Sequence, residues 1–235
     1  ALEERVKTLT KNRNQTPDLH HLLFHELRNQ LMILGGYTEL LHQDPARRDA
    51  DHCMGAIYRS SNYLQNLAEE VLLIRQVEDG QLSLEREYFP IEDLIADIIK
   101  VYKTPAREKA VQLRYLITTR QPTVNLNRLA AKIILSALVD NSLKYGPAGQ
   151  TITLSCLASE DRIELVVADQ GPGIAIEEQE RIFDPYYRSD TADDKPRGSG
   201  LGLHAVRVLA RAMDGEVSLE SQSGRGSRFR VKLPA

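Results

Sequence analysis

Two consecutive apolar seams dominate the first third of the chain. The first has alternating steps of four and three and one polar insertion: Leu23, Leu27, Gln30, Leu34, Tyr37 and Leu41. The second also has steps of three and four: Cys53, Ile57, Ser60, Leu64, Leu67, Val71 and Ile74. Such steps place side chains on one face of a helix. The seams predict helices over residues 1–42 and up to about Val77, joined by a polar, proline-containing turn at 43–49.

Two such helices form an antiparallel hairpin, which alone leaves part of its apolar surface in water. Pairing two hairpins into a four-helix bundle removes that exposure. We therefore expect a homodimer, with residues 1–78 as its helical dimerisation domain. Residues 79–87, which begin with Asp79-Gly80, are predicted to be a linker.

The pattern changes in residues 88–235, where apolar helices alternate with short strands. The predicted helices are Pro90–Arg107, Asn127–Tyr145 and Leu201–Met213. The predicted strands are Leu82–Phe89, Val111–Ile117, Thr151–Leu157, Arg162–Asp169, Glu216–Leu219 and Ser227–Leu233. A mostly antiparallel sheet with helices packed on it indicates an α+β layered domain. A chain of 235 residues is long enough to bury two cores.

Composition excludes several classes of protein. A net charge of −3 gives no electrostatic footprint for nucleic acid. No stretch is long and apolar enough to cross a bilayer. Cys53 and Cys156 lack C-x-x-C spacing, which favours free thiols in a reducing compartment. We expect a cytoplasmic protein; because the chain begins at Ala1 within a helical pattern, we expect any membrane span to lie in a missing N-terminal part.

His25 lies in the first predicted helix, two positions from both Leu23 and Leu27. At about 100° per residue, it points away from the seam and into water. Asn29, four residues later, shares that face. Glu26 follows His25 directly and lies about 100° round the helix from it, close to the imidazole.

Three interpretations of His25 are open. It is a solvated histidine without a role, or a metal ligand paired with His21 at a spacing of four. The metal interpretation is weak because the H-E-x-x-H pattern ends here in Asn29. In the third, the imidazole accepts a phosphoryl group, since its pKa lies close to ambient pH and Glu26 can orient the ring or take its proton.

Two downstream segments have residues suited to a nucleotide. Asn141 carries an oxygen suited to Mg²⁺, and Lys144, on the same helical face, suits a phosphate. Asp169 follows an apolar strand, where a carboxylate can accept a hydrogen bond from the exocyclic amine of adenine; guanine presents a carbonyl there. Gly171 and Gly173 allow close backbone approach. Taken alone, Asn141 and Lys144 are more typical of a solvated helix surface. The glycine motif taken alone is as typical of a plain glycine turn as of a ligand site.

Two further segments follow. The aromatic and basic block 181–188 precedes a polar stretch, 189–197, in which Lys195 and Arg197 are suited to the terminal phosphates of a nucleotide. That stretch is either a lid or a plain surface loop. The glycine-rich run 198–203 opens a helix, where backbone amides bind phosphate. Its G-x-G-x-G spacing differs from the dinucleotide fingerprint and from G-x-x-x-x-G-K-S/T.

In order along the chain stand His25-Glu26-Leu27-Arg28, the Asn141 helix, D-x-G-x-G, the aromatic block and G-x-G-L-G-L. This set resembles the sensor histidine kinases of two-component systems over residues from about 10 to 235. The resemblance implies an all-α helical hairpin of the HisKA type, a four-helix bundle as a dimer. It implies that an α+β ATP-binding sandwich of the GHKL (Bergerat) type follows as the catalytic domain, 88–235.

The resemblance also implies roles for individual residues. His25 is the phosphorylated histidine, Glu26 is the base that activates it, and Asn29 orients water during dephosphorylation of the partner. Asn141 holds Mg²⁺. The ATP-binding positions are Asn141, Lys144, Tyr145, Asp169, Gly171, Gly173, Lys195, Arg197, Gly198, Gly200, Leu201 and Gly202. The implied activity is ATP-dependent autophosphorylation and transfer to an aspartate of a response-regulator receiver domain, with ATP and Mg²⁺ as cofactors.

The chain departs from the family at two positions. The family usually has a proline where this chain has Gln30, and the missing proline removes a helix kink. The family often has Asn or His where this chain has Ala137. These departures leave a second hypothesis open: a nucleotide-binding scaffold, or a phosphatase-dominant member with weak kinase activity. A third hypothesis, another GHKL ATPase, needs a glutamate at the position of Ala137 and ranks last.

Overall fold

The computed structural model describes residues 19–79, 84–119, 123–159, 161–187 and 200–235. Contacts within the chain define two units, one extending to Val71 and one from Leu72 to Ala235. The boundary lies inside a helix, so the second unit begins with the last turns of that helix.

Helices α1 (Leu19–Gln43) and α2 (Ala50–Glu78) form the first unit, where α2 contributes its part up to Val71. Gln30 contacts Ser60, and the ring of Tyr37 packs edge-on against that of His52 at 5.9 Å. Because these contacts run in opposite directions along the two helices, the helices are antiparallel. Both predicted helices and the turn between them are confirmed, apart from residues 1–18, which lie outside the described residues.

The second unit contains helices and short strands in mixed order. The elements are β1 (Glu87–Pro90), α3 (Ile91–Glu108), β2 (Gln112–Thr119), β3 (Thr123–Leu126), α4 (Arg128–Tyr145), β4 (Thr151–Ala158), β5 (Arg162–Ala168), a 3-10 turn (Arg181–Phe183), α5 (Gly202–Ala212), β6 (Glu216–Ser221) and β7 (Ser227–Pro234).

A five-stranded sheet in the order β2-β4-β5-β7-β6 organises this unit. Strands β2 and β4 are parallel and the other neighbours are antiparallel. Alternate residues of the three central strands are buried: Ile152, Leu154, Cys156, Ile163, Leu165, Val167, Phe229, Val231 and Leu233. They belong to one core with apolar residues of α3, α4 and α5, so the helices cover one face of the sheet. The predicted α+β sandwich is confirmed.

The strand predicted over Leu82–Phe89 is wrong at its start. Pairing begins only at Glu87, and residues 84–86 have no strand structure, while 82 and 83 lie outside the described residues. Arg86 anchors this segment instead: its guanidinium donates to the carbonyl oxygens of Asn125 and Pro234. A side-chain anchor there replaces strand pairing.

Strand β3 was not predicted from the sequence. It is four residues long and pairs with β1 in a separate two-stranded sheet. Its burial alternates at Val124 and Leu126, but so short a stretch between a turn and a helix is too brief for a periodic signal.

Both cysteines are free, as predicted, and both are buried. Burial raises the pKa of the Cys156 thiol to about 12, because the charged thiolate is disfavoured away from water. Among the described helices, none combines the length and the hydropathy that crossing a membrane requires.

Helix α4 provides a test of this core. Leu138 is 0% exposed, whereas Leu129 on the same helix is 59% exposed. We expect Leu138→Ala to lower the free energy of unfolding by about 2–5 kcal/mol, since it leaves a cavity in a packed layer. Leu129→Ala, the matched control, changes it by no more than about 0.5 kcal/mol. Urea denaturation measures both, and equal losses would contradict the position of the core.

Candidate functional site

Asp169 lies directly after β5, and its carboxylate is held from several directions. The backbone N–H groups of Gly171 and Ser227 donate to Oδ1 at 2.8 and 3.1 Å. The Ser142 hydroxyl lies 3.1 Å from Oδ2 and 3.0 Å from the carbonyl oxygen of Leu138, so these two acceptors share its single proton. Asp169 is half-buried. Its orientation is therefore set by the protein, and Oδ2 keeps a lone pair for a further donor.

Glycines around Asp169 stand where a side chain has no room. A Cβ at Gly171 would lie 2.9 Å from Oδ1 of Asp169. A Cβ at Gly173 would lie 2.0 Å from the Gln222 carbonyl oxygen, and Gly173 has a φ of +72°. In the described structure these two glycines let the chain fold closely round Asp169 and the β6–β7 turn.

Gln150, which is 3% exposed, holds the end of α4 against the Asp169 loop. Its Nε2 donates to the carbonyl oxygen of Ser142 at 2.7 Å, and its Oε1 accepts from the Gln170 N–H at 3.1 Å. The Gln170 side chain accepts from the Thr151 N–H at 2.9 Å. Gly146 leaves the space for this arrangement, because a Cβ there would lie 1.8 Å from Nε2 of Gln150.

The face of α4 that carries Asn141 lies next to the start of α5. Ala137 and Asn141 are four residues apart and share a helix face. A Cβ at Gly202 would lie 3.7 Å from the Cβ of Ala137. Asp169, through Ser142, meets the same helix near its end. The C-terminal half of α4 therefore brings together Asn141, Asp169 and Gly202.

Lys144 and Tyr145 lie one turn beyond Asn141 on α4. At about 100° per residue, the three residues fall within an arc of about 100°. The Nζ of Lys144 is 2.5 Å from Oδ2 of Asp140, so its charge is partly neutralised within the helix. Tyr145 is 37% exposed.

The aromatic block is largely part of the fold. Phe183 is buried and packs edge-on against Phe229, with 6.2 Å between the ring centroids. The Arg181 guanidinium lies 4.7 Å from the Tyr187 ring centroid, and the Tyr187 hydroxyl donates to Glu178 at 3.0 Å. Phe183 and Tyr187 therefore have packing partners within the protein, and no ligand is needed to explain their positions.

Two contacts tie this block to α5. The Tyr186 N–H donates to the carbonyl oxygen of Gly200 at 2.9 Å, and Arg207 pairs with Asp184 at 3.0 Å. Gly200 has a φ of +70°, and a Cβ there would lie 2.7 Å from the Cα of Tyr186. Of the remaining predicted positions, Leu201 is buried beside Gly202. Lys195, Arg197 and Gly198 lie outside the described residues.

Comparisons with known proteins agree with this geometry. Residues 127–235 match the family described as histidine kinase-, DNA gyrase B- and HSP90-like ATPase. The chain is 31% identical to the histidine protein kinase DivJ of Caulobacter vibrioides, over 89% of this chain and 36% of that protein. It is 28% identical to the sensor histidine kinase CusS of Escherichia coli, over 99% of this chain and 48% of that protein. The chain is homologous to sensor histidine kinases.

Solved kinase structures share its fold. The Acinetobacter baumannii histidine kinase AdeS superimposes with a TM-score of 0.68 at 24% identity, covering 89% of this chain and 97% of that one. Full-length ShkA in complex with AMPPNP gives 0.69 at 23% identity, covering 92% of this chain and 45% of that one. The chain spans less than half the length of the kinases DivJ and CusS.

The predicted phosphoacceptor box is described only in part. His25 and Glu26 belong to α1, and their side chains lie outside the described residues. Asn29, one turn after His25, is half-buried and has a polar contact.

Sequence reasoning missed Ser142, Gln150 and Ser227. Ser142 follows Asn141 directly, but its partner Asp169 is 27 residues away. A glycine followed four residues later by a glutamine, as at Gly146 and Gln150, is not a recognised sequence motif. No short pattern could have identified these residues, because each acts on a distant segment.

Gly146 and Gln150 allow a double-mutant test of the site. Gly146→Ala displaces a Gln150 amide that makes two hydrogen bonds, so we expect a loss of about 1–3 kcal/mol in the free energy of unfolding. In a Gln150→Ala background the same substitution costs less than about 0.5 kcal/mol, because the obstruction is gone. Urea denaturation of the four proteins measures the coupling, and additive losses would contradict the contact.

Proposed function

We propose that this chain is the catalytic part of an ATP-dependent protein-histidine kinase. It autophosphorylates on His25, passes the phosphoryl group to an aspartate of a response regulator, and dephosphorylates that partner with the help of Asn29. The observation that carries the proposal is the oriented carboxylate of Asp169 beside the helix that bears Asn141, in a chain homologous to sensor histidine kinases.

The nucleotide is ATP, and Asp169 selects the base. Its free Oδ2 lone pair accepts from the exocyclic amine of adenine, while the carbonyl of guanine at that position is repelled. Support comes from the contacts that already orient the carboxylate, so binding requires little reorganisation. ShkA, which has the same fold, was crystallised with AMPPNP.

The amide oxygen of Asn141 would hold the Mg²⁺ that accompanies the phosphates, and the ion would neutralise part of their charge. Such an ion takes few protein ligands and completes its shell with phosphate oxygens and water. The methyl group of Ala137, one turn earlier, adds no ligand, which fits this mode of binding. The backbone of Gly198, Gly200 and Gly202, with Lys144, Lys195 and Arg197, contributes the polar and positive groups for the phosphates.

Phosphoryl transfer uses His25 as the nucleophile. A ring nitrogen attacks the γ-phosphorus, the bond to the bridging oxygen breaks, and ADP leaves while a nitrogen–phosphorus bond forms. Glu26 takes the ring proton. Positioning and charge neutralisation provide most of the catalysis in such transfers. An aspartate carboxylate of the receiver domain then attacks the same phosphorus, the nitrogen–phosphorus bond breaks, and the ring takes back a proton, which restores His25.

The partners are a receiver domain and a second copy of this chain. The kinase ThkA, which shares the fold with a TM-score of 0.65 at 20% identity, was crystallised with the response regulator TrrA. Large apolar side chains of the first unit are more than half exposed in one copy: Phe24, Leu31, Met32, Met54 and Tyr58. A second hairpin covers such a surface in a four-helix bundle. We place the chain in the cytoplasm, as part of a longer sensor.

Labelling with γ-labelled ATP tests the transfer. We expect acid-labile, base-stable label on the wild-type chain and none on His25→Gln, because the nucleophile is lost. His42→Gln on the same helix is the matched control and keeps the label. Label that persists in His25→Gln overturns the assignment of the site. Nucleotide binding without label in the wild-type chain favours the scaffold hypothesis.

The base selectivity has its own test. Asp169→Asn replaces one carboxylate oxygen, an acceptor, with an NH2 group, which is a donor. We therefore expect the affinity for ATP to fall by about 10-fold or more and the preference for ATP over GTP to shrink. Asp161→Asn, at an exposed aspartate between β4 and β5, is the control and keeps both. Calorimetric titration measures the affinities, and an unchanged ATP preference in Asp169→Asn contradicts the role of Asp169.

A further inference from the structure

Two polar residues in the apolar seams contact each other. Gln30 interrupts the seam of α1, and Ser60 occupies the seam of α2. The Ser60 hydroxyl is 2.5 Å from Oε1 of Gln30 and 3.3 Å from the Gln30 carbonyl oxygen. Ser60 is only 4% exposed, and it is one of the few buried polar residues in the described structure. Both residues lie within the first unit.

A buried hydroxyl restricts how the two helices can pack. Apolar side chains can exchange one apolar neighbour for another at little cost, because the hydrophobic effect has no direction. The Ser60 hydroxyl cannot do this. Sliding α1 by one turn, about 5.4 Å, or rotating it takes Gln30 away, so the Ser60 hydroxyl loses its hydrogen-bond partner on α1. A single polar position in an apolar seam specifies register in this way.

The register of α1 at Gln30 determines the position of the helix backbone at His25. Gln30 follows His25 by five residues, about 7.5 Å along the helix axis. Helix α1 is continuous from Leu19 to Gln43, so this interval has no break. An error in register at Gln30 is therefore carried unchanged to His25.

We propose that the Gln30–Ser60 hydrogen bond is a positioning contact. It holds the backbone at His25 at the position along the helix axis, and at the rotation about that axis, that phosphorylation requires. This inference rests on the proposed function of His25. Gln30 and Ser60 touch neither the nucleotide nor the reacting atoms, so both are positioning residues. A reacting group misplaced by about 1 Å can slow a reaction by about 100-fold.

The double variant Gln30→Met with Ser60→Ala removes the hydrogen bond and places apolar side chains at both positions of the seam. Replacing both partners together leaves no unpaired group, so we expect the melting temperature to stay the same or rise. We expect the rate of His25 phosphorylation at saturating ATP to fall by about 10-fold or more, with the KM for ATP unchanged. Ser61→Ala, at the exposed neighbour of Ser60, is the control and keeps the wild-type rate.

Hydrogen exchange measured by mass spectrometry tests the same contact without catalysis. Without a unique register, we expect faster amide exchange over residues 25–31 in the double variant and no change in Ser61→Ala. A double variant with wild-type exchange and wild-type rate overturns the inference and leaves the pair a purely structural contact. If the wild-type chain takes no label at all, the kinase proposal fails, while the exchange result still decides whether the pair holds α1.

Discussion

The carboxylate of Asp169 connects three parts of the second unit. It accepts from the backbone at the start of β7, from its own loop after β5, and from Ser142 on α4. The helix layer and the sheet therefore meet at one charged group. The core on either side is apolar and supplies most of the stabilisation, but burial alone has no direction. The Asp169 contacts fix where α4 ends relative to the strand ends, and the position of Asn141 depends on that placement.

The first unit uses the same physical principle on a smaller scale. Its helices are held by an apolar seam, and one polar pair, Gln30 and Ser60, adds a hydrogen bond between them. In both units a few hydrogen bonds with strict geometry act inside a larger apolar surface. Each of these contacts restricts how its helix can pack, because a hydrogen bond weakens steeply when its geometry is lost.

The elements that the sequence predicted well are those with long periodic patterns. Helices α2, α3 and α4 repeat over many turns, so their bounds agree with the structure to within a few residues. The four-residue strand β3 and the true start of β1 were missed, because so few residues show no period. The sequence did not indicate that Phe183 of the aromatic block packs on Phe229, since aromatic residues serve cores and ligand sites equally well.

The sequence by itself determined the kinds of element and the chemical types at the site. The spacing of apolar residues is a local property of the sequence. The residue types of Asp169, after β5, and of Asn141 can also be read directly from the sequence. Only the tertiary structure decided which polar residues meet. The pairing of Gln30 with Ser60, and the fit of Gln150 into the space left by Gly146, join segments whose separation depends on how helices and strands pack. Hydrogen bonds require atoms placed to within a few tenths of an ångström, and no spacing along the chain specifies that.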